Sequence, residues 1–292
     1  MTVRSTLRIA HIKIALLCDD PSLRSGIEPS FRRFLTNDAE PDVTIRASWG
    51  ELRKDPFGEK VFDSGAVWQL YRQNGEYTFR FTSPAFGTQP YKIATLDETF
   101  TAGEVSIHRP FFQYDEPIDP LEYPLDELLI VGLLGKGRGV EVHACGIVDD
   151  LGQGHLFVAQ SGGGKSTIAR IWEDEPGITI LSDDRIILRE EEKTFWMYGT
   201  PWHGDAALAS PERAPLERVY FLKRGQKNDL RPYNEASATG RLFSCSFPPF
   251  YNPDGIHFTL GFLEQVTTKV PCYGFRFVPN RQAVHFIQGL ND

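Results

Sequence analysis

"HLFVAQSGGGKSTIARIW", residues 155–172, carries three consecutive glycines, Gly162, Gly163 and Gly164, ahead of Lys165, Ser166 and Thr167. "HLFVA" is short and apolar, suited to a buried strand, and "STIARIWED" opens a helix. The glycine turn between them has the strand–loop–helix setting that a phosphate-binding loop requires. Glycines admit backbone conformations closed to other residues and let N–H groups approach phosphate oxygens without a Cβ in the way. The helix start adds partial positive charge. On this reading Ser161, Gly162, Gly163, Gly164, Lys165, Ser166 and Thr167 contact a nucleotide. Lys165 supplies a point charge to the β- and γ-phosphates, and the Ser166 hydroxyl ligates Mg²⁺. The commoner pattern begins with glycine where this chain has Ala159. Alanine is small enough for that place. The plain alternative is a flexible glycine turn before a helix.

Two further clusters fit the same chemistry. In "ITILSDDRIILR", residues 178–189, an apolar strand ends at Asp183 and Asp184. Carboxylates at the carboxyl end of a parallel strand lie where such sheets bind ligands. One can hold the metal and the other can take a proton from an attacking hydroxyl. A solvated turn leading into a hairpin is the alternative. In "YGTPWHGD", residues 198–205, Trp202 can stack on a base or shield the site, His203 can contact phosphate, and Asp205 can complete the metal shell. A packed tryptophan and a surface histidine are the alternative there. His143, in "VEVHACGIV", is a lone histidine on a strand, a setting that is more often structural.

The 292 residues suffice for one large domain or two ordinary ones, and a hydrophobic fraction of 41% with 24% charged residues is that of a globular chain. A formal net charge of −8 leaves no general basic face for nucleic acid or an anionic membrane. The apolar run in "RIAHIKIALLC" is interrupted by His11 and Lys13, and no run reaches membrane-spanning length. Cys18, Cys145, Cys245 and Cys272 are scattered, without a Cys-x-x-Cys pair, so neither a zinc site nor a disulfide framework is expected. The expected setting is a reducing cytoplasm, with neither nucleic acid nor membrane as partner.

Residues 1–120 read as a β-rich module. Ile12, Ile14 and Leu16 alternate as in a half-buried strand. Trp68 and Leu70 precede, and Tyr77, Phe79 and Phe81 follow, an Asn74-Gly75 turn that predicts a hairpin. "YKIATL" and "EVSIH" predict further strands, and "PSFRRFL" a short helix. "YDEPIDPLEYP", residues 114–124, reads as a linker. Beyond it "LDELLIVGLLGKGRG" places Leu125, Leu128, Leu129 and Leu133 on one helical face, with Gly135 as the stop. From there strands and helices alternate, so residues 121–292 are expected to form an α/β domain.

Over roughly residues 125–223 the order of features resembles the HPr kinase/phosphorylase family and its stand-alone relatives, which share a phosphate-loop architecture with phosphoenolpyruvate carboxykinase. Those features are the apolar helix, "VHACGIV", "SGGGKST", a strand ending in "SDD", and "GTPWHGD"; "APLERVYFLKRG" and "VPCYGFRFVPN" are also similar to the relatives. The resemblance implies an α/β, overall α+β, P-loop kinase domain preceded by the variable β-rich module. It implies that Lys165 and Ser166 hold phosphate and Mg²⁺, and that Asp184 is the general base with Asp183 beside it. It also puts His143 near the transferred phosphate and Asp205 where another metal-binding acid belongs. HPr kinases carry a Glu-Ile-Arg-Gly type signature where this chain has "GTPWHGD", so HPr as substrate and the reverse phosphorolysis do not follow. Their oligomeric state points to a homo-oligomer.

The leading expectation is an ATP-dependent kinase that moves the γ-phosphoryl to a hydroxyl, of a seryl residue in a protein or peptide or of a small molecule such as serine, a nucleoside or a sugar. A nucleotide-binding scaffold or switch without catalysis competes with it. A phosphoenolpyruvate carboxykinase-like lyase lacks a convincing second metal site and an arginine set for a dicarboxylate.

Overall fold

A computed structural model describes residues 3–24, 28–38, 40–52, 58–112 and 117–290. The chain divides into two compact units, Met1–Leu133 and Leu134–Asp292.

In the first unit nine strands form one sheet: β1 (Val3–Ile9), β2 (Ile12–Cys18), β3 (Leu35–Thr36), β4 (Val43–Trp49), β5 (Glu59–Asp63), β6 (Trp68–Gln73), β7 (Glu76–Thr82), β8 (Pro90–Leu96) and β9 (Ala102–Ile107). Their order is β3-β1-β2-β4-β9-β8-β7-β6-β5. The β6–β7 hairpin turns through Asn74 and Gly75 at φ 52° and 82°. Both are left-handed, as the turn that matches strand twist demands. The short helix α1 (Pro29–Arg32) has one turn only. Helix α2 (Leu125–Leu133) packs its small Gly132 on Phe100: a Cβ there would meet the ring at 2.5 Å. The helix thus belongs to the first unit, and the division falls at 133/134 where the sequence reading puts it at 120/121. Part of the expected linker, residues 114–116, lies outside the described residues.

A wide turn, Leu134–Arg138, follows α2, and the left-handed glycine in it is Gly137 at φ 90°. Gly135, expected to stop the helix, has another reason to be glycine. A Cβ there would lie 2.6 Å from Pro249.

The second unit is a mixed α/β structure. Its elements are β10 (Val140–Val148), β11 (Gly154–Val158), α3 (Lys165–Glu173), β12 (Thr179–Ser182), β13 (Arg185–Glu191), β14 (Thr194–Tyr198), β15 (Arg213–Arg224), β16 (Asp229–Pro232), α4 (Glu235–Ser244), α5 (Pro253–Lys269), β17 (Cys272–Phe277) and α6 (Gln282–Gln288). β11, β15 and β17 run parallel. One face packs Leu156, Val158, Val219 and Phe221 against Leu242 and Leu263 of α4 and α5. The other packs Phe157, Tyr220 and Phe275 against Ile168 and Trp172 of α3 and Val284 of α6. This alternation of adjacent residues between two cores explains why "LFVA" and "VYFL" run on without alternating polar residues. All four cysteines are buried free thiols. Among the described residues no helix is long and apolar enough to cross a membrane.

Strand β10 joins two sheet regions. Residues 140–143 pair with β13; residues 144–148 pair with β11 on one edge, and residues 146–148 with β12 on the other. β12 and β13 therefore form one antiparallel line along β10, broken by a bend at Asp183 and Asp184. The expectation of a parallel neighbour for the strand before these acids is corrected here. β12 bonds to β10 antiparallel and shares the direction of β11 because both oppose β10.

Where β14 leaves this sheet, Gly199 passes close under residues 181 and 210. A Cβ on it would lie 1.9 Å from the Ser210 carbonyl oxygen and 2.7 Å from that of Leu181. Neither is a flexible group, so Gly199→Ala is expected to cost about 1–3 kcal/mol. Gly261, in the middle of α5, has no atom within 4 Å of its built Cβ, and Gly261→Ala is expected to gain about 0.5–1 kcal/mol from helix propensity. Thermal melting of the two variants checks both. Equal melting temperatures for them would contradict the packing described.

Candidate active site

Register decides which side chains meet. Ala144 stands opposite Val158, the last residue of β11, and its N–H donates to the Asp184 carbonyl at 3.0 Å. The glycine loop, the acid bend and His143 are thereby brought to the same end of the sheet. In the loop Gly162 and Gly164 take φ of 76° and 106°. Gly163 is needed for space, since a Cβ there would come within 2.4 Å of the Ala159 Cβ. Lys165 begins α3, with Ser166 and Thr167 half-buried on its first turn.

Lys165 is 6% exposed. Its Nζ lies 2.8 Å from His143 Nε2, donates to the Ala159 carbonyl at 3.2 Å and stands 3.7 Å from Asp184 Oδ1. Burial lowers its pKa, against the opposing pull of Asp184. The same His143 nitrogen lies 2.9 Å from Asp184 Oδ1. One imidazole nitrogen donates or accepts but does not do both at once, so Lys165 and Asp184 compete for one atom. Phosphate oxygens entering the loop would give the ammonium acceptors that His143 does not share.

Arg185 completes the group. It stands opposite His143 in the β10–β13 ladder, and Glu141 lies diagonally from it on the same face of β10. Arg185 Nε is 3.3 Å from Asp184 Oδ2, its Nη1 is 3.9 Å from the buried Glu141 Oε1, and its guanidinium lies 3.8 Å from the Phe247 ring centroid. Burial raises the Asp184 pKa, but the His143 hydrogen bond and the charges of His143, Arg185 and Lys165 outweigh it and hold the carboxyl below its ordinary value. Its contribution to stability is complete above the unfolded aspartate pKa, about 4, and is lost as pH falls through the lowered folded value.

Asp183 has different partners. It is fully buried, and its Oδ1 and Oδ2 accept the backbone N–H groups of Gly204 at 2.8 Å and Ala206 at 3.0 Å. Gly204 permits this closure, for a Cβ on it would lie 2.8 Å from Asp183 Oδ2. Ser182 ties the same loop down by donating to the Trp202 carbonyl at 2.9 Å, and Trp202 is itself buried. His203 is exposed with Nδ1 3.0 Å from the Gly204 carbonyl oxygen, and no hydrogen bond or ion pair joins it to the Lys165 group. Asp205 is exposed, and its carbonyl accepts from Arg170 at 2.8 Å. Asp183 and Asp205 thus differ in burial and partners, the first closed on the loop and the second exposed. Among the described residues no cluster of three metal-ligating His, Cys, Asp or Glu occurs.

Sequence reasoning did not single out Glu141, Arg185 or Phe247. The first two had a signal: each is a charge within an apolar strand, and Glu141 is two residues from His143. A cavity of about 420 Å³ opens beside the loop, lined by residues 158–163, by Phe221 and Leu222 of β15 and by Arg241, Ser244 and Cys245.

No protein-family model and no curated protein matches the sequence. Among solved structures, the Hpr(Ser) kinase/phosphatase from Coxiella burnetii aligns with 51% of this chain and 87% of its own at 16% identity, with a TM-score of 0.30. A likeness at that level carries neither fold nor function to this chain.

Asp183→Asn sets an amide NH₂ against one of the two backbone donors and is expected to cost about 1–3 kcal/mol. That corresponds to a melting temperature lower by roughly 3–10 °C. Asp205→Asn is expected to melt within about 1 °C of the parent, as surface substitutions do. An unchanged melt for Asp183→Asn, with Mg²⁺ binding weakened, would return Asp183 to the metal.

Proposed function

We propose that this chain is an ATP-dependent phosphotransferase with a hydroxyl acceptor. The observation that carries the reading is the convergence of Lys165, His143 and Asp184 on the glycine loop at one end of the sheet. A bare anion site needs the loop and the lysine. It has no use for a carboxylate kept ionised at neutral pH beside them.

The loop N–H groups, the α3 N-terminus and Lys165 hold the β- and γ-phosphates. Mg²⁺, carried in with the nucleotide, supplies charge neutralisation at the phosphate oxygens, and Ser166 is the hydroxyl that would hold it. The acceptor oxygen forms its bond to the γ-phosphorus as the bond to the β–γ bridging oxygen breaks, and the acceptor proton passes to Asp184. In a loose transition state positioning matters more than basicity. Arg185, braced by Glu141 and Phe247, keeps Asp184 oriented. The acceptor is a seryl residue of a protein or peptide, or a small hydroxyl compound. The enzyme works in the cytoplasm, without nucleic acid or membrane, as a homo-oligomer.

Lys165→Ala is expected to abolish Mg-ATP binding measured by calorimetry. Asp184→Asn is expected to bind Mg-ATP within a few-fold of the parent while phosphoryl transfer from labelled ATP falls by about 100-fold or more. Ala159→Gly is expected to retain near-parental activity. Unchanged ATP affinity in Lys165→Ala sinks the loop assignment, and full transfer in Asp184→Asn sinks the base.

A further inference from the structure

The cavity beside the loop contains a charge that the mechanism above does not use. Residues 160–163 of the loop line it together with Arg241 and Ser244 of α4, and among the described residues no acidic one does. Arg241 is on the last turns of α4, with its side chain exposed. Its guanidinium lies over the Tyr233 ring, 5.0 Å from the centroid. Tyr233 in turn meets Phe221 edge to face at 5.2 Å, and Phe221 is part of the cavity lining. An aromatic shelf steadies a guanidinium without neutralising it or consuming its N–H donors.

Arg185, Arg213 and Arg281 each meet a carboxylate, of Asp184, Glu191 and Glu175 respectively. Among the described residues no carboxylate pairs with Arg241. In a chain of net charge −8 this leaves an unneutralised arginine beside a loop of backbone N–H groups. The cavity also adjoins the strand of the reacting groups, because Cys245 lines it and the Cys245 carbonyl accepts the His143 N–H at 2.6 Å.

We infer that this cavity receives an anionic group, a phosphate or a carboxylate, bound by Arg241. The inference rests on the loop being a phosphate site. The anion has two possible sources: the phosphate chain of the nucleotide, or an acidic group on the hydroxyl acceptor. Arg is suited to either, since its planar fork matches both bidentately.

The test uses the full chain, with Arg241→Gln, Arg241→Lys and Lys165→Ala compared with the parent. Calorimetry measures Mg-ATP binding first, then the binding of inorganic phosphate to protein saturated with Mg-ADP. Arg241→Gln is expected to lose about 10- to 100-fold in one of the two, the scale of a charge-assisted contact, with Arg241→Lys in between and the thermal melts unchanged. Loss on Mg-ATP assigns the anion to the nucleotide. Loss confined to phosphate assigns it to the acceptor side. Parental Mg-ATP binding in Arg241→Gln, with phosphate binding either unchanged or absent from the parent as well, overturns the inference while leaving the kinase reading intact. If the parent fails to bind Mg-ATP yet binds phosphate alone through Arg241, the anion site stands and the nucleotide reading falls. No binding of either overturns both.

Discussion

Ala144 fixes the geometry of the candidate site. Its side of the ladder aligns it with Val158, from which the glycine loop springs, and its N–H is bound by the carbonyl of Asp184. One residue earlier on the same strand is His143. A strand has two edges, and β10 uses both: one sets the height of the loop and the other sets the height of the acid bend. Because side chains alternate with period two, slipping either register by one residue would turn His143 or Asp184 to the opposite face. The constraint is strong because the interior residues Val142, Ala144, Leu156, Val158 and Leu181 are all buried in the same core. Apolar burial thus enforces the placement of polar groups that contribute little to holding the sheet together.

What was legible in the sequence follows the range of the forces involved. The loop, the "SDD" bend and the Asn74-Gly75 hairpin depend on local backbone conformation, which glycine, asparagine and short apolar runs announce directly. The direction of β12 relative to its partner depends on β10, thirty residues away in sequence, and nothing within "ITILS" encodes it. Gly135 looked like a helix stop because helices often end on glycine; its nearness to Pro249 belongs to tertiary packing. Trp202 and His203 show the same limit. Their types suggested contact with a ligand; the burial of the one and the exposure of the other depend on the Ser182 and Asp183 hydrogen bonds that hold this loop.

The charges around Asp184 form an ordered series. Glu141, Arg185, Asp184 and Lys165 alternate in sign, with His143 touching the last two. Alternation lets charged groups stay in a partly buried place in an acidic chain, since each carboxylate is met by a cation. Arg185 also stacks on Phe247, which excludes water from one of its faces. The arrangement keeps Asp184 ionised and oriented, whereas Lys165 is held by partners that are easily exchanged: a shared imidazole nitrogen, one carbonyl and a carboxylate at longer range.

Two adjacent aspartates looked interchangeable in sequence, and their surroundings separate them. At the bend between β12 and β13 the two carboxylates meet different partners. The buried one is saturated by two backbone N–H groups of the loop it closes; the half-buried one meets His143, Lys165 and Arg185. Moving the Asp183 carboxylate would open the 202–206 loop. Consecutive residues thus meet different partners: backbone N–H groups for Asp183, charged side chains and His143 for Asp184. The split also explains why a double acid is useful where a single one would have to choose: Asp183 fixes the bend from behind, and that fixed bend is what presents Asp184 to the loop.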